Sequence, residues 1–302
     1  MTDNGSATLA PIVCCLDQRY IVAFCVLLES LARGNPDSVP DLRVVVLHEG
    51  LPADGVDRIT AHARRLGLRL DCIRIDAPDE RYPSTTDGPH GDQLTRSIYL
   101  RLMIADVLRD VPRALYLDSD ILIRRDIRPL LELPMDGFAI AAAQDPIQPT
   151  LGEGYTLPGW REEGIPPSRE YFNSGVLLLD LDVCRSQGVL DRAKKFLVDY
   201  PERAICLDQD ALNWAVDDAW LRLDRYWNTY TAQAYASSTA GPERLTRVPM
   251  EVVRRNEQEC ALLHFAGPRK PWLDSEADNP TPSYRDYREL LAAVRASEAM
   301  AA

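Results

Sequence analysis

The chain has 302 residues, 46% of them hydrophobic, with 46 Asp plus Glu against 34 Lys plus Arg and a formal net charge of −12. That balance argues against a general nucleic-acid binder, whose phosphate contacts need clustered Lys and Arg, and the apolar content is enough to build a core rather than a disordered chain. The longest uncharged apolar run, Tyr20 to Leu28, falls far short of the roughly twenty residues that cross a bilayer.

Taken in order, Pro11 to Leu16 reads as a buried strand, Ile21 to Leu31 as a helix and Leu42 to Leu47 as a second strand. Val56 to Leu66 reads as an Arg-rich amphipathic helix ended by Gly67, and Leu68 to Ile75 as a third strand. After a loop rich in Pro, Gly and Asp (Asp76 to Asp92), Leu94 to Leu108 has helical spacing, and Arg113 to Leu117 is a strand running into Asp118-Ser119-Asp120. Alternating strands and helices imply a mostly parallel sheet with helices on both faces, an α/β fold.

In the second half, Phe138 to Ala143, Gly175 to Leu181 and Ala261 to Phe265 read as strands, Leu190 to Tyr200 and Gln209 to Val216 as helices. Pro146 to Pro167 and Thr229 to Glu259 lack clear periodicity and are expected to be irregular binding loops. Tyr155 and Trp160 in the first of them are candidates to stack on a ligand. Asp17, Gln18 and Arg19 interrupt the apolar N-terminal stretch and no basic residue precedes it, so a secretory signal is not expected and the cytoplasm is. The seven cysteines (Cys14, Cys15, Cys25, Cys72, Cys184, Cys206, Cys260) are odd in number and contain no CxxC pair, which points to thiols in a reducing compartment.

Ligands of an open parallel sheet bind beyond the carboxyl ends of its strands, which directs attention to Asp17, Asp118, Asp120, Asp145 and His264. Paired carboxylates suit hard divalent cations such as Mg²⁺ and Mn²⁺. Spacing alone does not select a pair, because Asp118/Asp120, Asp180/Asp182 and Asp208/Asp210 all have it. Asp118-Ser119-Asp120 stands out by context: it breaks two apolar strands, Ala114 to Leu117 and Ile121 to Ile123. Asp180/Asp182 reads as a solvated strand end. His264 ends a short strand and opens a run through Trp272 in which Gly267 permits close backbone approach and Lys270 supplies a compact cation for phosphate. Trp272 reads equally as core packing after a proline turn or as part of a lid over a bound ligand.

These residues, in this order, resemble the family-8 retaining glycosyltransferases, which include bacterial lipopolysaccharide galactosyltransferases and glycogenin. The likeness runs from Val13 to Trp272 through Asp17 and Tyr20, Ser97 to Leu102, Leu115 to Asp120, Phe172 to Val176, Asp208 to Asn213, and His264 to Trp272. It implies a GT-A fold: a Rossmann-like, mostly parallel central sheet flanked by helices, with irregular acceptor loops. One domain is expected over residues 1–272, with a donor half over 1–125 and an acceptor half over 126–272, followed by a helical tail over 273–302.

The resemblance also implies an activity, the transfer of glucose or galactose from a UDP-sugar with retention at the anomeric carbon. Asp118, Asp120 and His264 would hold Mn²⁺, with Mg²⁺ as a substitute, and Ser119, Lys270 and the Gly267 backbone would face the diphosphate. By the same resemblance Asp17 is a nucleobase and ribose contact, Arg101 a sugar and phosphate clamp, and Asn173, Asp208 and Gln209 line the donor sugar and reacting centre. Asp145 matches a position used for the acceptor hydroxyl or donor sugar. Cys14 and Cys15 stand where small residues such as Ala are common, and Arg19 and Gln93 where relatives often carry Asn and His.

Two rival readings keep the same sheet: a non-catalytic nucleotide-sugar binder, and a sugar-1-phosphate nucleotidyltransferase. The second calls for a Gly-rich phosphate loop after the first strand, and Leu16-Asp17-Gln18-Arg19 has no glycine. Asp274 to Ala302 holds six acidic residues and three Arg, a tail that an anionic membrane surface repels, so a soluble acceptor is expected: a small molecule, natural product, oligosaccharide or peptide.

Overall fold

The computed structural model describes residues 9–85, 95–154, 156–236 and 248–301. Its strands are β1 (Ile12–Cys15), β2 (Arg43–His48), β3 (Arg69–Arg74), β4 (Arg113–Leu117), β5 (Ile121–Ile123), β6 (Ile140–Gln144), β7 (Phe172–Asp180), β8 (Leu221–Leu223), β9 (Thr229–Tyr230) and β10 (Leu262–His264). The helices that matter here are α1 (Ile21–Gly34), α2 (Ala53–Arg65), α3 (Ile104–Val107), α4 (Arg128–Leu131), α5 (Leu181–Gln187), α6 (Val189–Asp199), α7 (Asp208–Val216) and the C-terminal helix Pro282–Ala301.

Seven strands form the main sheet in the order β3-β2-β1-β4-β7-β6-β8. β3, β2, β1 and β4 run parallel to one another and β6 is parallel to β8, while β7 is antiparallel to both β4 and β6. A small second sheet has the order β5-β10-β9, with β5 antiparallel and β9 parallel to β10.

Period-two alternation explains why central strands read as apolar throughout: successive residues enter opposite cores. Ile12, Cys14, Val44, Val46, Leu115 and Leu117 join the core that holds Phe24, Phe265 and Tyr287. Val13, Val45, Leu47, Ala114 and Tyr116 join the other, with Trp160, Phe172, Phe196 and Trp220. Helix α1 is buried from Ile21 to Leu31 apart from Val22, packed among the sheet, α2 and the C-terminal helix. Edge strand β3 carries Arg69, Asp71 and Arg74, charges that discourage pairing with another chain.

Three expectations are corrected. Leu94 to Leu108 is not a continuous α-helix: Arg96–Met103 winds as a 3₁₀ helix before α3. Ser97 and Tyr99 to Leu102 are all buried there, so tertiary packing rather than intrinsic preference sets the winding. Thr229 to Glu259 is not irregular throughout, since it contains β9, a short helix Ala232–Ala236 and the helix Met250–Glu259; the last buries only Val253 and Glu257, too narrow a stripe to show as periodicity. Trp160 is 7% exposed within the second core, below a turn at Leu157 with φ 46°, so it packs inward instead of offering a face to a sugar. Tyr155 and Gln93 lie outside the described residues. No disulfide joins the seven cysteines, and no helix among the described residues is long and apolar enough to cross a membrane.

Candidate active site

The Asp118-Ser119-Asp120 break is where the chain leaves the main sheet for the small one. The Asp118 N–H donates to the Gly175 carbonyl on β7 (2.8 Å), and the Phe265 N–H donates to the Asp120 carbonyl (3.0 Å). Antiparallel register sets His264 opposite Ile121, beside Asp120. His264 Nε2 is consequently 3.3 Å from Asp120 Oδ1 and 3.7 Å from Asp118 Oδ2, and one ligand atom from each of the three residues falls within 4.8 Å of the others. Behind the ring, His264 Nδ1 lies 3.0 Å from Asn228 Oδ1. Two carboxylates and an imidazole oriented through its second nitrogen are a donor set that fits a divalent cation. The Oγ of Ser119 is buried and has no hydrogen-bond partner among the described residues, which leaves it for a ligand.

The other two Asp pairs do different work. Asp180 caps α5, its carboxylate accepting from the Val183 N–H (3.0 Å), rather than forming a bare solvated end. Asp208 and Asp210 are buried in the first turn of α7. Asp210 accepts from the Tyr171 hydroxyl (2.7 Å) and the Cys206 N–H (2.6 Å), and burial pushes its carboxyl up to about 7.

Beyond β10 the chain turns through Gly267, whose φ of 81° lies in the left-handed region that favours glycine. That turn brings Lys270 back, and its ammonium donates to the Phe265 carbonyl (2.8 Å) and to Asp120 Oδ2. Burial works against charge on both partners. Even so, Lys270 and then His264 hold the Asp120 carboxyl below the usual range, and Asp120 raises Lys270 in return. Trp272 meets Tyr20 edge-on with ring centroids 5.5 Å apart and lies against Tyr287 at 5.7 Å, which is core packing.

Arg101 is 5% exposed and is engaged wholly by the protein. Its Nη2 donates to Asp118 Oδ1 (3.0 Å), Nη1 to the Ser174 carbonyl (2.8 Å), and Nε to the Ile98 carbonyl (3.0 Å), with Asp208 Oδ2 at 3.1 Å. The guanidinium sits 4.4 Å from the centroid of the Tyr116 ring. Burial pushes the Asp208 carboxyl up to about 6, against the pull of Arg101.

Gln209 occupies the centre of a buried polar group. Its Oε1 accepts from Asn173 Nδ2 (2.8 Å) and the Ser174 N–H (3.0 Å), and its Nε2 donates to Asp145 Oδ2 (3.3 Å). Asp145 also accepts from the Ile147 N–H (2.8 Å), the Gln148 N–H (3.0 Å) and the Tyr230 hydroxyl (3.3 Å). At the opposite end, Asp17 accepts from the Arg19 N–H (2.7 Å) and the Thr95 hydroxyl, which pins the turn after β1.

One cavity of about 290 Å³ gathers Asp17, Arg101, Asp118, Ser119, Asp120, Asp145, Asn173, Asp208, Gln209, His264, Gly267 and Lys270. A cleft of that size, largely apolar with a few convergent polar groups, is what a small ligand requires. The residues come from both halves of the sequence and from both sheets. Sequence reasoning passed over Asn228 and Tyr230. Both follow the aromatic pair Tyr226-Trp227, Asn228 just before the stretch read as irregular and Tyr230 inside it, and only the pairing of β9 with β10 and the contact of Asn228 with His264 reveal their place.

A family model, Glycosyl transferase family 8, matches residues 11–276. Over 279 residues the chain is 26% identical to General stress protein A of Bacillus subtilis (strain 168), an alignment that covers 91% of this chain and 90% of that protein. It is also 26% identical over 266 residues to Lipopolysaccharide 1,3-galactosyltransferase of Salmonella typhimurium, covering 85% of this chain and 71% of the relative. Among solved structures, the galactosyltransferase LgtC in complex with donor and acceptor sugar analogs superposes with a TM-score of 0.71 at 23% identity, over 94% of this chain and 95% of that one. At that identity the likeness is one of fold, and it is the mostly parallel α/β fold expected above.

Proposed function

The chain belongs to glycosyl transferase family 8, and from that membership we propose that it is a retaining hexosyltransferase, moving glucose or galactose from a UDP-sugar to a hydroxyl of a soluble acceptor. The observation that carries the reading is the convergence of Asp118, Asp120, His264 and Lys270 with Asn173 and Gln209 around one cavity. Asp118, Asp120 and His264 would hold Mn²⁺ or Mg²⁺, whose chemistry there is to offset the negative charge that builds on a departing diphosphate.

The protein's own groups carry the remaining roles. Lys270 adds a fixed positive charge on the leaving-group side, in a buried setting where such charge acts strongly. Ser119 Oγ supplies an uncommitted hydrogen bond, and Asp17 faces the nucleoside end. Gln209 and Asn173 line the sugar, held by backbone N–H groups and by Asp145. The Gln209 amide oxygen already accepts two short hydrogen bonds, which weakens it further as a nucleophile. Retention through front-face attack accommodates this: the acceptor oxygen bonds to the anomeric carbon as the carbon to phosphate-oxygen bond breaks, and a phosphate oxygen takes the acceptor's proton. Ile147 and Gln148 of the first irregular loop and Ala234 of the short helix Ala232–Ala236 line the same cavity, so acceptor choice is assigned to them. A cytoplasmic location goes with such a donor.

The test is to incubate purified protein with UDP-glucose or UDP-galactose, Mn²⁺ and a mixed acceptor pool, following UDP release and acceptor mass. Release of UDP with the gain of one hexose on an acceptor is expected. No UDP from either donor, with acceptors or with water, overturns the enzymatic reading; donor binding without release leaves a nucleotide-sugar binder.

A further inference from the structure

Asn228 is 2% exposed and lies behind the cavity wall rather than on it, between the candidate cation site and the buried amides. Its Oδ1 lies 3.0 Å from His264 Nδ1, and its Nδ2 donates to Asn173 Oδ1 at 2.8 Å. Asn173 Nδ2 then donates to Gln209 Oε1 at 2.8 Å, and Gln209 Nε2 to Asp145 Oδ2 at 3.3 Å. Three side-chain amides thus join the imidazole of the candidate cation site to the residues around the reacting carbon in an unbroken line.

The line has a fixed direction. Asp145 Oδ1 accepts two backbone N–H groups and Oδ2 also accepts the Tyr230 hydroxyl, so the carboxylate end is an acceptor. Gln209 Oε1 is pinned by the Ser174 N–H (3.0 Å) and Asn173 Oδ1 by the Gly175 N–H (3.0 Å). Turning either amide over would press N–H against N–H in a buried place. Each amide therefore offers nitrogen toward Asp145 and oxygen toward His264. The last oxygen, Asn228 Oδ1, meets His264 Nδ1 and so fixes the orientation of the ring, with Nε2 on the side of Asp118 and Asp120.

We propose that Asn228 is a positioning residue that couples cation binding at His264 to the placement of Gln209, by transmitting the hydrogen-bond direction set at Asp145. The proposal deepens the reading of the site as a cation-dependent transferase, and part of its test does not depend on transfer.

Asn228→Ala removes both bonds. Asn228→Asp keeps an oxygen beside His264 Nδ1 and turns another toward Asn173 Oδ1, breaking only the second link. Mn²⁺ alone, titrated into protein without donor and followed by electron paramagnetic resonance, is expected to bind Asn228→Ala about tenfold or more weakly than wild type, and Asn228→Asp within about threefold of it. Hexose transfer at saturating Mn²⁺ is expected to drop in both variants. Unchanged Mn²⁺ affinity in Asn228→Ala overturns the proposal, and so does full recovery of transfer in Asn228→Asp. A wild type that binds Mn²⁺, with Asn228→Ala binding it about tenfold or more weakly and no hexose moved by either, refutes the transferase reading and leaves the histidine link standing.

Discussion

A Cβ built on Gly175 would overlap His264 Cε1 and stand 2.8 Å from Asp118 Oδ2. No real side chain tolerates such contacts, so the glycine on β7 is what lets the imidazole and the carboxylate share one space. Gly175→Ala must displace one of them. The expected outcome is Mn²⁺ affinity lowered by about tenfold or more in calorimetric titration. An unchanged affinity would remove the Asp118, Asp120 and His264 cluster from consideration as the cation site.

Asp120→Asn takes away a candidate ligand and the anionic partner of Lys270 together. Cation binding and UDP-sugar turnover should fall in parallel, and urea unfolding should register a loss of about 3–5 kcal/mol from the stranded buried ammonium. Combining it with Lys270→Met removes the stranded charge. Stability should then recover to within about 1 kcal/mol of the wild type while cation binding stays lost. Retained turnover in Asp120→Asn would exclude it as a ligand.

Asp118-Ser119-Asp120 was legible because charge interrupts two apolar runs, and a break of that kind at a strand end marks a sheet's carboxyl edge. The parallel strands were legible for a related reason, since β1, β2 and β4 feed both cores and so read as apolar on every residue. Asn228 was not. Its partners His264 and Asn173 are 36 and 55 residues away, and an amide after two aromatics looks like any turn residue until β9 pairs with β10. The winding of Arg96–Met103 and the inward turn of Trp160 escaped for another reason: both follow from what packs around them, which local pattern does not encode.

Arg101→Lys is expected to be a severe change despite the kept charge. The guanidinium fork serves Asp118, Asp208 and the Ser174 carbonyl at once, and one ammonium cannot span them. Unfolding in urea should show a loss of about 3 kcal/mol, with turnover reduced in parallel. A variant within about 0.5 kcal/mol of wild type would mean that Arg101 does not hold the two carboxylates.

Burial raises the carboxyls of Asp208 and Asp210 to about 6 and about 7 in the folded protein. Unfolded Asp titrates near ~3.9, so between these values the native state binds more protons than the unfolded one. Their contribution to stability is therefore fully present below about pH 4 and is lost as pH rises through 6 and 7. Asp120, held low by Lys270, has its own loss on the acid side of that window. Melting temperatures from pH 5 to 8 should fall with rising pH, and Asp210→Asn should flatten the slope. Equal slopes in variant and wild type would refute the burial effect at Asp210.

The crossing of the chain from one sheet to the other has a mechanical meaning. Asp118 closes the end of β4 in the large sheet, while Asp120 and His264 border the small one, so whatever grips all three acts as a clasp where the two sheets meet. By linkage, ligand binding there strengthens the docking of β5, β9 and β10 against the rest of the molecule. Amide hydrogens of Leu262 to His264 should then exchange more slowly once the clasp is closed, and those of the distant β3 edge should not change.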